Sequence, residues 1–247
     1  MNNTRIEWAD KTWNPVTGCR HTPTFRPDRL GEPMKVKKPS RIFVGSVSDL
    51  FGEWTWDVYE NGDEEGFASG LVSREHVVNR ILDIAKQCPQ HTFIFLTKNP
   101  KGMQGFNFPD NCWCGTSVEN QEKADERRPD LLKVNCKTLF VSYEPALGEI
   151  DFEKYFLPVC KLCNGDMSVP SEYGGGKPCP RCIDDQGKDP DFIKWLIIGA
   201  QTGQGAVKPK HEWITSAVRQ ATEAHVPVFL KDNLQIAGVI REYPGGD

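Results

Sequence analysis

Thr92-Phe-Ile-Phe-Leu96 runs straight into Thr97-Lys98, and Thr138-Leu-Phe-Val-Ser142 runs straight into Tyr143-Glu144-Pro145. Each is a short, nearly unbroken apolar run rich in β-branched and aromatic residues, the pattern of a strand buried on both faces. Four more runs of this kind follow the same rule: Arg41-Ile-Phe-Val-Gly45, Cys112-Trp-Cys-Gly115, Lys194-Trp-Leu-Ile-Ile-Gly199 and Val226-Pro-Val-Phe-Leu230. Helical patterns lie between them. Ser73 to Gln87 sets Val77, Ile81, Ile84 and Ala85 on one side behind a Ser73 N-cap. Glu119 to Lys133 is charged and ends in Leu131-Leu132, and Glu212 to His225 carries Trp213, Ile214, Ala217, Val218 and Ala221. Strands alternating with helices predict a parallel sheet with crossover connections. About six units suit an open or partial β/α barrel, or a doubly wound sheet. The expectation is α/β: a partial parallel β/α barrel of about six strands, forming one domain over residues 1–247, with the 73–87 and 212–225 helices outside.

Two stretches break this rhythm. Gly52 to Gly70 is acidic, contains glycine and has no clear period, and reads as a loop or lid. Leu157 to Asp191 holds two cysteine pairs and a Gly174-Gly-Gly176 run, and reads as an insertion with too few apolar residues to fold unaided.

Composition bounds the function classes. With 30 Lys+Arg against 34 Asp+Glu the formal net charge is −4, which does not support a protein that coats nucleic acid by bulk electrostatics. The short basic run Lys35-Val-Lys-Lys38 is the one local motive for a nucleic-acid partner. No apolar run approaches the ~20 residues that span a bilayer, and Met1-Asn-Asn-Thr-Arg-Ile-Glu-Trp8 has no apolar signal core. A cytoplasmic protein without a membrane partner is expected. The nine cysteines are an odd count without a secretion signal, which argues against a disulfide framework.

Four of them are paired. Cys160-Lys-Leu-Cys163 and Cys179-Pro-Arg-Cys182 are separated by residues 164–178, a spacing that matches structural zinc sites. Four thiolates leave no open coordination position, so a zinc here is structural, and it would supply the folding free energy of the 157–191 insertion. Two disulfides or unligated thiols are the alternatives. Cys112 and Cys114 fall on one strand face and read as buried core residues.

Ligands of parallel α/β folds bind at the carboxyl ends of the strands, and here those ends are polar. The runs lead into Ser46-Val-Ser48-Asp49, Thr97-Lys98, Thr116-Ser117-Val-Glu119-Asn120, Ser142-Tyr-Glu144, Gln201-Thr202-Gly203 and Lys231-Asp232-Asn233. Ser48, Asp49, Lys98, Glu119, Glu144 and Lys231 are expected around one mouth with Cys19 at its rim. Lys98, Glu144 and Lys231 lead, because a charge at an enclosed mouth must be paired or employed. Helix capping, strand-end solvation or an ion pair such as Lys98 with Glu144 would explain any one of them singly. Gly199-x-x-x-Gly203-x-Gly205 is a weak phosphate loop, lacking the Lys-Ser/Thr pair.

Ordered motifs across nearly the whole chain carry a family resemblance: Ile6-Glu-Trp8-x-Asp10-x-Thr12-Trp-Asn-Pro-Val-Thr-Gly-Cys19, Arg41-Ile-Phe-Val-x-Ser-x-Ser-Asp-Leu-Phe51, Phe95-Leu-Thr-Lys98, Gly115-x-Ser-Val-Glu-Asn-Gln121, Arg127-x-Pro-x-Leu-Leu132, Phe140-Val-Ser-x-Glu-Pro145, Trp195-x-Ile-Ile-Gly199 and Val226-Pro-Val-Phe-x-Lys231. The sequence resembles a phage-associated, radical-SAM-like family with a three-cysteine motif, catalogued as a domain of unknown function. The resemblance implies a partial β/α barrel and a four-iron four-sulfur cluster on three cysteines. It also implies S-adenosylmethionine bound at the cluster and cleaved to a 5′-deoxyadenosyl radical, which acts on an unknown substrate. The sequence departs from that pattern at the motif itself. Where the family continues to a second and third cysteine, Cys19 is followed by Arg20-His21-Thr-Pro-Thr-Phe25. One thiolate cannot hold such a cluster, so the radical enzyme requires a motif more complete than this one. Without the iron anchor, S-adenosylmethionine binding is expected to weaken strongly. A non-catalytic, zinc-containing binding protein on the same scaffold and a nucleic-acid-associated module are the other two readings.

Overall fold

The structure, a computed structural model, describes residues 24–25, 27–45, 49–52, 58–61, 68–153, 155–156, 168–171, 176–178, 193–236 and 238–245. Cys19, Ser48, Cys160, Cys163, Cys179 and Cys182 lie outside the described residues.

The strands are β1 (Thr24–Phe25), β2 (Arg41–Val44), β3 (Val58–Asn61), β4 (Ala68–Val72), β5 (Thr92–Thr97), β6 (Cys112–Val118), β7 (Thr138–Tyr143), β8 (Ser168–Pro170), β9 (Gly176–Pro178), β10 (Ile193–Ile198) and β11 (Val228–Leu230). The α-helices are α1 (Glu32–Lys35), α2 (Arg74–Gln87), α3 (Gln121–Leu131) and α4 (His211–Glu223). All six strands read from apolar runs are present, and they form a sheet of order β11-β10-β7-β6-β5-β2. The pairings β2–β5, β5–β6, β7–β10 and β10–β11 are parallel. The fold is α/β around a parallel sheet, as expected. The chain divides into two compact units, one of residues 1–116 and 134–137, the other of residues 117–133 and 138–247.

In the first unit β2, β5 and the start of β6 stand in register, with Val44 opposite Phe95 and Thr97 opposite Thr116. Their core is aromatic: Phe51 meets Phe95 edge-on at 6.1 Å between centroids, and Phe95 meets Phe108 at 5.4 Å. α2 forms because Ser73 caps it, its side chain accepting from the His76 amide at 3.2 Å, and because Val77, Val78, Ile81, Leu82 and Ala85 make one buried stripe. Where α2 ends, the Asn111 amide donates to the carbonyls of Ala85, Cys88 and His91 at 2.9–3.1 Å. Buried His91 joins the start of β5 to the chain before β2, with Nδ1 accepting from the Ser40 amide at 3.2 Å and Nε2 donating to the Pro33 carbonyl at 3.0 Å.

The 52–70 stretch is not an aperiodic loop. It contributes β3 and the start of β4, antiparallel to each other, with β1 added parallel to β3. Its acidic and glycine residues hide the strand alternation.

In the second unit Tyr143, Ile198 and Leu230 share one rung of β7, β10 and β11. α3 starts two residues later than its charge pattern suggested, because Asn120 caps it by accepting from the Lys123 amide at 3.0 Å. α4 buries Ile214, Ala217, Gln220 and Ala221. Gln220 is the buried polar residue of that stripe, and it is fully used. Its Oε1 accepts from the amides of Phe152 and Glu153 at 2.5 and 3.0 Å, and its Nε2 donates to the Ser216 hydroxyl at 3.0 Å. It thereby anchors the segment that follows β7, where Phe152 stacks on Phe156 at 5.5 Å. The chain after α4 returns along the outer edge of β11, with Arg241 bridged antiparallel to Phe229. Among the described residues no helix is long and apolar enough to cross a membrane.

Replacing Gln220 by Met keeps the volume and leaves the buried Phe152 amide without its acceptor, while the Glu153 amide keeps the Asp151 carboxylate at 3.1 Å, so it is expected to cost about 1–3 kcal/mol. Urea unfolding of the variant measures this, and a loss below about 0.5 kcal/mol, ordinary for a surface change, would show that the anchor is dispensable.

Candidate functional site

In the first unit, the carboxyl ends of β2 and β5 are tied together by Asp49. Its Oδ1 accepts from the Thr97 hydroxyl at 2.6 Å and the Phe51 amide at 3.1 Å, and its Oδ2 accepts from the Lys98 amide at 2.8 Å. The Thr97 hydroxyl also accepts from the Asn99 amide at 2.9 Å, and Asn99 Nδ2 donates to the Phe51 carbonyl at 2.9 Å. Asp49 is thus a strand-end knot, with both carboxylate oxygens engaged by the protein. The Lys98 side chain is exposed beside it.

The second unit holds the denser cluster. One residue beyond the shared rung of Tyr143, Ile198 and Leu230 come Glu144, Gly199 and Lys231. The hydrogen-bond ladder continues through them: Gly199 N donates to Tyr143 O at 3.1 Å, Ala146 N to Gly199 O at 3.0 Å and Lys231 N to Ile198 O at 2.9 Å. Glu144 and Lys231 therefore flank Gly199, and their side chains meet in an ion pair above it. Gly199 lets the Glu144 carboxylate lie against the backbone. A Cβ there would sit 2.4 Å from Glu144 Oε1 and 2.7 Å from its Cδ. Asn233 closes the arrangement. Its Nδ2 donates to Glu144 Oε1 at 3.2 Å and to the Ala200 carbonyl at 2.8 Å, while its Oδ1 accepts from the Ala200 amide at 3.1 Å. The Glu144 side chain is 20 % exposed and that of Lys231 43 %. A carboxylate fixed by two donors and an ammonium with N–H groups to spare thus open on solvent, a pairing suited to a small polar ligand that both donates and accepts.

Glu119 is used differently. It pairs with Arg127 of α3 at 3.1 Å, with side chains 12 % and 11 % exposed, and Arg127 also donates to the Ser117 carbonyl at 2.8 Å. This half-buried pair fixes the middle of α3 to the end of β6. Of the residues expected at one mouth, Asp49 and Lys98 meet in the first unit, and Glu144 and Lys231 meet in the second. Glu144 takes Lys231 as its ion-pair partner. Asn233 stood only in a strand-end run and Arg127 only in a family motif, and neither was expected at the mouth. Asn233 acts on a carboxylate 89 positions away, and only the fold creates that proximity.

The described cysteines, Cys88, Cys112, Cys114 and Cys136, are all buried free thiols. Burial, followed by the neighbouring Cys136, pushes the Cys112 thiol up to about 12. Burial, then the hydrogen bond and charge of Cys136, raises Cys114 well above its ordinary value. Such thiols are poor ligands, because the thiolate is what binds metal. Among the described residues no three His, Cys, Asp or Glu side chains converge to hold a metal ion.

Residues 64–238 match the model of a family described as a protein of unknown function, DUF5131. The chain belongs to this family. No curated protein and no solved structure matches it. The DUF5131 match covers both strand-end residues of the second unit, Glu144 and Lys231, together with Gly199 and Asn233.

Two outcomes follow. Gly199→Ala forces the Glu144 carboxylate off its position and is expected to destabilise by about 0.5–1 kcal/mol, the worth of a well-placed, partly exposed ion pair. An unchanged unfolding midpoint would mean that the pair is not seated as described. Cys112 titrates near 9.0 when unfolded and near 12 when folded. A raised pKa favours the protonated folded state, so this contribution is whole below about pH 9 and is lost as pH rises toward 12. Unfolding measured across that window is expected to show falling stability, with the fall blunted in Cys112→Ala. Equal slopes in the two proteins would contradict it.

Proposed function

We propose that this chain is a radical-SAM-like protein that keeps a polar strand-end ligand site, lacks the means to hold the cluster, and carries a structural zinc. It acts as a zinc-containing small-molecule binding protein on a partial β/α barrel scaffold. The observation that carries the site is the Glu144–Lys231 pair seated over Gly199 and held by Asn233.

The donor set does not fit a three-cysteine iron–sulfur cluster. Of nine cysteines, Cys88, Cys112, Cys114 and Cys136 are buried thiols. The two Cys-x-x-Cys pairs have the spacing of a tetrathiolate site. Cys19 is the one remaining thiol, and three or four are needed. No radical step is therefore assigned to this chain, and S-adenosylmethionine would lose the iron that anchors its methionine end.

The zinc reading draws support from the hairpin between the two pairs. β8 and β9 are antiparallel, with Ser168 opposite Pro178. Cys179 directly follows β9, and Cys163 stands shortly before β8. The two ends of the hairpin are thus neighbours, as two thiolate pairs sharing one tetrahedral ion require.

Metal analysis after anaerobic purification and treatment with iron and sulfide tests the proposal. About one zinc per chain and no stoichiometric iron are expected, with zinc lost and the insertion opened to protease in Cys163→Ser. Calorimetric titration of the iron-free protein with S-adenosylmethionine is expected to show binding much weaker than micromolar. Iron and sulfide at about four each per chain would restore the enzyme reading. Micromolar binding without iron would make S-adenosylmethionine itself the ligand.

A further inference from the structure

We infer that Arg241 is a positioning residue for the strand-end site: from the C-terminal segment it clamps the chain on both sides of Lys231 and thereby sets the Lys231–Glu144–Asn233 geometry. This rests on reading Glu144 and Lys231 as the binding groups.

β11 has only three residues, and its two sides are held differently. On the β10 side the Lys231 amide is bonded to Ile198 O at 2.9 Å. On the other side Leu230 N donates to Ile240 O at 3.0 Å and Glu242 N to Val228 O at 2.9 Å. Arg241 lies between these two bonds. Its guanidinium crosses the Phe229 ring at 4.6 Å from the centroid. One terminal nitrogen donates to Leu230 O at 2.7 Å, and the other pairs with the Asp232 carboxylate. The two acceptors belong to the residues immediately before and after Lys231, so one planar fork fixes the backbone from which the Lys231 side chain springs.

The chain then turns directly into Asn233, whose amide joins Glu144 to Ala200. Lys231 and Asn233 thus leave a segment bounded on one side by Arg241 and on the other by β10. A lysine held in one geometry loses rotamer entropy, and the clamp removes the backbone share of that freedom before any ligand arrives. Charge alternation serves the same end. Asp232 neutralises Arg241 and Glu144 neutralises Lys231, so two neighbouring cations are held without mutual repulsion. Only arginine can do this, because a lysine ammonium lacks the fork that reaches two acceptors at fixed separation.

Exposed surface pairs contribute little stability, and the Asp232 side chain is 90 % exposed. The role claimed is therefore geometric, and its readout is local. The Ala200 amide reports it, since its acceptor is Asn233 Oδ1 at 3.1 Å. Amide hydrogen exchange of the full chain, without ligand, is compared between wild type, Arg241→Ala and Arg241→Lys. In both variants exchange at Ala200 is expected to quicken by about five-fold, the loss of one hydrogen bond's net contribution. The α4 amide reporter Ala224, bonded to Gln220 O at 3.1 Å, keeps its rate. If the segment merely covers the edge of β11, exchange quickens at Leu230 and Glu242 and stays unchanged at Ala200, which overturns the inference. Should Arg241→Ala fail to fold, Arg241→Lys decides alone, because it keeps the charge and the stem and loses only the fork. Failure of ligand binding in wild type would refute the proposed function and leave this result standing.

Discussion

The second unit depends on the in-register parallel pairing of β7, β10 and β11. Because Tyr143, Ile198 and Leu230 share a rung, the next residues along each strand are forced side by side, and they are a carboxylate, a glycine and an ammonium. Slipping one strand by a residue would exchange its faces and place Lys231 away from Glu144. Gly199 fits that packing: with the carboxylate folded over its Cα, a Cβ would push the carboxylate aside. Asn233 and Arg241 act on this rung from outside it, one holding the carboxylate and the other holding the backbone beside Lys231. The first unit shows the same logic with a different outcome. There the strand-end carboxylate, Asp49, accepts from two amides and a hydroxyl and joins two strands.

Much of this was legible in the sequence because buried parallel strands announce themselves. A strand covered on both faces needs an unbroken apolar run, and the six such runs became the six strands of the main sheet. The Ser73 cap was equally readable, since the cap interaction is local. Strands β3 and β4 were missed for the converse reason: with Tyr59, Glu60, Asn61, Ser69 and Gly70 among their residues, they carry no apolar run. At the site, sequence pointed to Glu144 and Lys231 as charges beyond strand ends but left their partners open. The partner of Glu144 is decided by which strand lies two positions along the sheet, and the pairing of Glu119 by the turn that brings Arg127 back over β6. Such long-range choices leave no mark in a local window.

The cysteines divide by the same physical criterion. Cys112 and Cys114, inside β6, are shielded from water, which raises the thiol pKa and keeps them as small apolar core residues. Those in the 157–191 insertion flank a short hairpin in a segment poor in apolar residues, where ligand bonds can replace a core.

The central claim is that Glu144 and Lys231 act as one unit across β7 and β11. A double-mutant cycle with Glu144→Gln and Lys231→Met, followed by urea unfolding, tests it most directly. The account predicts a coupling energy of about 0.5–1 kcal/mol, as for a partly exposed pair of good geometry. Additivity of the two substitutions within about 0.3 kcal/mol would contradict it.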